Sequence, residues 1–306
     1  DFGFNLHDQS RYYNAERTSK PATLSYLAPA YNYEKDINEV RGNAMKVIVY
    51  MNALIQQFAP GQVGRYNDDF EPRAFGDNIQ KWGTSAILIE SGGYQNDREK
   101  QEIRKLNYVS ILAALHAVAS GSYKDIALSE YEKIPQNDRK LFDLKLEDVS
   151  YELLGRQYVL DIGIHHIEVD NAKHSSFYTK AQIIDLGDLS TYYGYETMNA
   201  SGYQIVPGKI YQPKRGELPS YSKAIALLKE GYVYWKGPVT MGDQGLDFPM
   251  QVVSANFMLP QFRLYVGLNP SFLLSKNGVI SHAVVNGYLI DLEQGSGDFK
   301  NAIFLR

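Results

Sequence analysis

Apolar and polar positions alternate from the start of the chain: Phe2, Phe4 and Leu6 are separated by Gly3 and Asn5, the two-residue period of a strand. His7 closes that stretch, and Asp8-Gln9-Ser10-Arg11 continues it as polar chain. Residues 17–33, with Pro21, Pro29 and many Ser, Thr and Tyr, read as loop. The period then changes. Ile37, Val40, Ala44, Val47, Ile48, Met51, Ile55 and Phe58 keep helical spacing. Asn32 is the expected N-cap, Glu34 and Asp36 lie in the first turn, and Ala59-Pro60-Gly61 is the stop. Residues 62–83 hold no period and read as a glycine-punctuated loop, with Phe70 and Phe75 expected to pin it to the core. Ala86-Ile87-Leu88-Ile89 is a continuous apolar run, which predicts a strand covered on both faces. It ends on Glu90 and turns through Ser91-Gly92-Gly93. A second helix is predicted from about Asp97 to Ser120. Ile103, Leu106, Ile111, Leu115 and Val118 define its buried side, His116 is expected against the core, and Gly121 ends it.

The second half has another rhythm. Residues 124–157 are dense in Lys, Asp and Glu and are broken by Pro135-Gln136-Asn137-Asp138, which reads as a partly helical linker. Strand patterns then recur at 159–164, 181–186, 204–210, 231–235, 250–257, 262–266 and 279–292, separated by Gly and Asn. One helix interrupts them, with Pro219 near its start, Ala224 and Leu228 inside it and Gly231 at its end. The expected organisation is therefore an α/β part over residues 1–123, a linker over 124–157, and a mainly-β, sandwich-like domain over 158–306.

Composition narrows the partners more than the fold. The chain has 306 residues, 44% hydrophobic and 22% charged, enough to build a core without staples. A net charge of −4, with no basic stripe, argues against nucleic acid. No apolar run is long enough to span a bilayer. There is no cysteine, which removes disulfides, thiolate nucleophiles and cysteine-held zinc together. A metal would have to be held by His and carboxylate.

Two ionisable residues stand at strand ends. In open α/β sheets, ligands bind outside the carboxyl ends of the strands, and Glu90 occupies such a place. It is either a catalytic carboxylate or an acidic residue capping the loop before the next helix. His7 is either a metal ligand or a hydrogen-bonded structural residue. A His-x-x-Glu sequence occurs at His165 to Glu168, inside a strand-like stretch. An offset of three along a strand sends the two side chains to opposite faces, so this is not read as a metal-binding pair.

The segment Phe4-Asn5-Leu6-His7-Asp8-Gln9 resembles the strand end that supplies the last zinc-binding His of zinc carboxypeptidases. Ala86-Ile87-Leu88-Ile89-Glu90-Ser91-Gly92 resembles that family's strand bearing the catalytic Glu. The separation of 83 residues, from position 7 to position 90, and the long helix after Glu90 agree with the same pattern, which covers roughly residues 1–123. The resemblance implies the C-terminal part of a catalytic domain, a partial α/β/α sandwich with a mixed sheet. It implies His7 as a zinc ligand and Glu90 as the general base that takes a proton from zinc-bound water and passes it to the leaving amine. Tyr66 would contact substrate, and Arg73 and Arg11 are candidate partners of a substrate carboxylate. The substrate would be a peptide or protein with a free C-terminus, and the setting extracytoplasmic or secreted. The family's other two zinc ligands lie in a His-x-x-Glu upstream of the position His7 matches, so they are expected ahead of residue 1. The alternative is a catalytically inactive binding or structural protein on a peptidase-derived scaffold.

Overall fold

The alternation at the start forms strand β1 (Phe2–Asp8), with Phe2 and Phe4 packed on the core and Leu6, His7 and Asp8 exposed. In the computed structural model, residues 1–171, 174–175, 177–213, 218–237 and 247–295 are described. The chain divides into two compact units, Asp1–Leu141 and Phe142–Arg306.

In the first unit β1 is followed by β2 (Asn14–Ala15), β3 (Leu24–Leu27), α1 (Glu39–Ile55), β4 (Val63–Arg65), α2 (Phe75–Lys81), β5 (Ser85–Ser91), α3 (Gln101–Ser120), α4 (Ser129–Glu132) and β6 (Asn137–Asp138). Four strands make a mixed sheet in the order β1-β5-β3-β4. β1 runs parallel to β5, β5 antiparallel to β3, and β3 parallel to β4. One face of this sheet carries Phe4, Ile87, Ile89, Leu24 and Tyr26, packed with residues of α1 and α3. The alternate residues Asn5, His7, Leu88, Glu90, Ser25 and Leu27 belong to the other face. There the side-chain Oε1 of Gln80, in α2, accepts from the Ala86 backbone N–H at 2.8 Å.

Several local expectations shift. Asn32 caps a separate turn, accepting from the backbone N–H of Asp36 at 3.0 Å. Lys35 is left-handed (φ 58°), which breaks the helical path, and α1 starts only after Asn38, whose side chain accepts from the Arg41 N–H at 2.9 Å. The stretch 62–83 is not simply loop, since it holds β4 and α2. Phe75 is 71% exposed rather than anchored, while Phe70 lies edge-on to Tyr33 at 5.1 Å. In α3 the buried side is Ile103, Leu106, Ser110, Ala113, Ala114 and Ala117. Leu115 is 53% exposed, and His116 is exposed too, bonded through Nδ1 to the Tyr50 hydroxyl at 3.0 Å. The small side chains face inward because α3 packs against α1 as well as the sheet, leaving no room for a row of leucines.

The stretch 124–157 is not a linker. It contains α4, β6 and the long strand β7 (Leu141–Leu153), and the boundary between units falls at Leu141. The charges that make it look solvated are accommodated inside the fold. The Asp143 carboxylate accepts from the His166 backbone N–H at 2.6 Å, and the Lys145 ammonium donates to Glu147 at 2.9 Å and to the Tyr192 carbonyl at 3.0 Å.

The second unit continues with β8 (Arg156–Asp170), β9 (Phe177–Gly187), β10 (Tyr193–Asn199), β11 (Gln204–Pro207), β12 (Lys209–Tyr211), α5 (Tyr221–Lys229), β13 (Tyr232–Lys236), β14 (Gln251–Val253), β15 (Phe272–Lys276), β16 (Val279–Val285) and β17 (Tyr288–Asp291). It is mainly β. The large sheet runs β17-β16-β15-β11-β7-β8-β9, with β10 paired to β7. Its Leu273 and Ala283 pack with α5, β13 and β14, while Phe272, Leu274 and Val284 join a second core with β7, β8 and β9. The small sheet β12-β13-β14 is parallel, which a purely antiparallel sandwich would not contain. Residues 262–266 form no strand, and the expected run 279–292 is the hairpin β16–β17.

Candidate functional site

The parallel pairing of β1 with β5 puts His7 opposite Glu90, at the carboxyl ends of both strands. Neighbouring strands lie about 4.8 Å apart, and paired residues project from the same face. On the other side of β5, Ser25 of β3 is the residue opposite Glu90. His7, Glu90 and Ser25 thus form one row across three strands.

Glu90 is 7% exposed. Burial pushes its carboxyl above the ordinary range, His7 pulls the other way, and Asp8 adds to the rise. Asp8 is itself ion-paired with Lys100, the residue before α3. His7 is exposed, and its Nε2 is hydrogen-bonded with the Asn5 side-chain oxygen at 3.0 Å. That bond ties the imidazole along β1, two residues back on the same face.

Tyr66 follows β4 directly, and its backbone N–H donates to the Tyr26 carbonyl at 2.9 Å. Its phenol is raised by burial first, then by Tyr13, to which it is hydrogen-bonded, and by the charge of Glu90. The two tyrosine rings lie 6.1 Å apart. Tyr66 therefore shares electrostatic surroundings with Glu90, although 24 positions separate them in sequence. Arg11 and Arg73 are both exposed, Arg11 in the loop after β1 and Arg73 in the turn before α2. His7 and Asp8 are the side chains that act on the Glu90 carboxyl besides its burial.

The loop carrying Tyr66 is held by a buried cation. Arg41 is 3% exposed and donates to the Ala28 carbonyl at 3.1 Å, to the Lys35 carbonyl at 2.6 Å and to the Asp68 carboxylate at 2.8 Å. Lys35 donates to Asp68 as well, at 2.9 Å.

Sequence reading misses four polar residues at this end of the sheet: Gln9, Tyr13, Ser25 and Asn137. Gln9 and Ser25 are buried, and Asn137 comes from the segment expected to be linker. Only the polar Ser25 within the apolar run of β3 could have hinted at them. His165 and Glu168 lie in β8, opposite Gln182 and Thr179 of β9, and the three-residue offset puts them on opposite faces. Among the described residues there is no group of three or more His, Asp or Glu arranged to hold a metal ion. Nor is any helix among them long and apolar enough to cross a membrane.

The chain matches no known protein-family model, and comparison with curated proteins finds no match either.

Proposed function

We propose that the first unit carries the general-base part of a zinc carboxypeptidase-like hydrolase. Glu90 takes a proton from the attacking water and returns it to the leaving amine. Tyr66 contacts the substrate beside it, and His7 contributes one imidazole to the metal. The observation that supports this reading is the in-register placement of His7 and Glu90 on adjacent parallel strands, at their carboxyl ends and on one face. A carboxyl raised by burial suits a group that must accept and then release a proton near neutral pH. Tyr13, bonded to Tyr66, holds that phenol where the charge of the base reaches it.

A bound zinc ion would supply polarisation of the peptide carbonyl and acidification of water. The described residues do not fit such an ion alone: His7 is one donor where three protein ligands are usual. Further ligands would be those of the His-x-x-Glu that the resemblance implies ahead of residue 1. Arg11 and Arg73 remain candidates for a substrate's terminal carboxylate through their guanidinium forks.

The test uses the complete natural polypeptide with zinc, read by release of C-terminal residues from peptides. Glu90→Gln should lower turnover by about 10²–10⁴-fold while zinc content stays stoichiometric. Undiminished turnover in that variant would exclude the role. His7→Ala should lower zinc content by atomic emission, and residues 1–306 alone should leave peptides intact.

A further inference from the structure

Ser25 is fully buried and stands opposite Glu90 in the β3–β5 pair. Directly opposed residues of antiparallel strands share a face, with Cβ atoms about 4.5–5.5 Å apart. The Ser25 hydroxyl oxygen accepts from two amides, Gln9 Nε2 at 2.9 Å and Asn137 Nδ2 at 3.2 Å. Further partners fix how both amides are turned. Gln9 Nε2 also donates to the Ala22 carbonyl at 2.9 Å, an oxygen that can only accept. Asn137 Nδ2 also donates to Gln9 Oε1 at 3.1 Å. Each amide nitrogen thereby uses both of its protons. A hydroxyl has one proton and two lone pairs, and here both lone pairs are taken. The proton of a fully buried hydroxyl still needs an acceptor. The carboxylate beside it on the same face is Glu90.

We propose that Gln9, Ser25 and Asn137 are positioning residues for Glu90. The two amides make the Ser25 hydroxyl an obligatory donor, and that donor holds the Glu90 carboxylate through one bridging water. The fold makes room for this cluster with two glycines. A Cβ at Gly64 would lie 3.0 Å from the Asn137 Cβ and 3.2 Å from the Ser25 Oγ. A Cβ at Gly92 would lie 2.9 Å from Gln9 Nε2 and 2.2 Å from the Ala22 carbonyl oxygen. Asn137 is delivered by β6, which pairs with β2, while the Arg65 N–H donates to the Pro135 carbonyl at 2.7 Å. That the cluster serves catalysis rests on the reading of Glu90 as a working base; that it holds Glu90 does not.

A double-mutant cycle in the 306-residue protein tests it, using Ser25→Ala, Glu90→Ala and the pair, read by thermal unfolding. If Ser25 holds Glu90, the loss in Tm of the double variant falls short of the summed single losses by about 2–4 °C. His7→Gln combined with Ser25→Ala should be additive. Additive losses for Ser25 and Glu90 would overturn the proposal, since a role confined to Gln9 and Asn137 does not depend on residue 90. If Ser25→Ala does not fold, the Ser25 hydroxyl proton of the parent protein decides by NMR. A slowly exchanging signal that is lost or displaced in Glu90→Ala supports the proposal, and a signal indifferent to that change overturns it. Neither measurement involves metal or substrate. Coupling with normal turnover in Glu90→Gln would keep the cluster and discard the peptidase reading, and additivity with lost turnover would do the reverse.

Discussion

The two units each contain a histidine and a glutamate that sequence alone could pair, and the sheets treat them in opposite ways. His165 and Glu168 are three residues apart, yet the pleat of β8 sends them to opposite faces. His7 and Glu90 are 83 positions apart, yet parallel pairing sets them side by side. Closeness in sequence is useful on a helix, where an offset of three or four shares a face, and misleading on a strand. In the first unit, β1 and β5 are parallel neighbours far apart in sequence, so their carboxyl ends lie together at one edge of the mixed sheet. In the second, hairpins such as β7–β8 and β16–β17 return the chain directly, so residues that meet are mostly local in sequence.

The sharpest way to break this comparison is to crowd each sheet at a glycine. At Gly92 an added Cβ would meet the Ala22 carbonyl oxygen at 2.2 Å, backbone that cannot step aside. At Gly163 it would meet the Phe142 ring at 2.4 Å, a side chain with some freedom to turn. Gly92→Ala should destabilise the first unit by about 3 kcal/mol or more, and Gly163→Ala the second by about 1–3 kcal/mol. Denaturant midpoints at unchanged slope would measure both, and equal losses would contradict the difference.

Among the described residues each unit also buries one cation, and the next test concerns those. Burial alone would raise Asp68, but hydrogen bonds from Lys35 and Arg41, and their charges, outweigh it and hold the carboxyl below its ordinary value. Such a group stabilises the fold above the ordinary carboxylate range, and that stability is lost as pH falls through the lowered value. Asp68→Asn should therefore cost about 1–3 kcal/mol at pH 7, with the gap to the parent protein closing below about pH 4. Lys145 keeps the Tyr192 carbonyl when Glu147 is changed, so Glu147→Gln should cost only about 1 kcal/mol. Thermal unfolding across pH reads both.

The smallest expected effect falls on the residue that matters most to the proposed chemistry. His7 is exposed and bonded only within its own strand, so His7→Gln should change stability by no more than about 0.5 kcal/mol. A larger loss would make His7 a structural residue and weaken the contrast between the two His–Glu pairs.

Much of the first unit was legible because its periods are strong. The alternation of Phe2 and Phe4, the apolar run before Glu90, and the stop at Gly121, left-handed at φ 75°, each lead to the element observed. β7 was not legible, because Asp143 and Lys145 read as solvated charge while the fold satisfies both inside. The start of α1 was misplaced because a left-handed Lys35 leaves no mark in composition or period. Phe75 shows the converse error, since an aromatic expected to pin a loop to the core faces solvent at the start of α2.

What the sequence determined by itself is local: which stretches are strands or helices, and that a His and a Glu terminate two strands. Tertiary structure decided that β1 and β5 are parallel neighbours in register, and that Ser25, bonded to Asn137, lies opposite Glu90. The reason is range. Period and capping act over a few residues, whereas strand pairing is settled by the burial of a whole sheet face. A shift of one residue in that pairing would turn Glu90 away from His7.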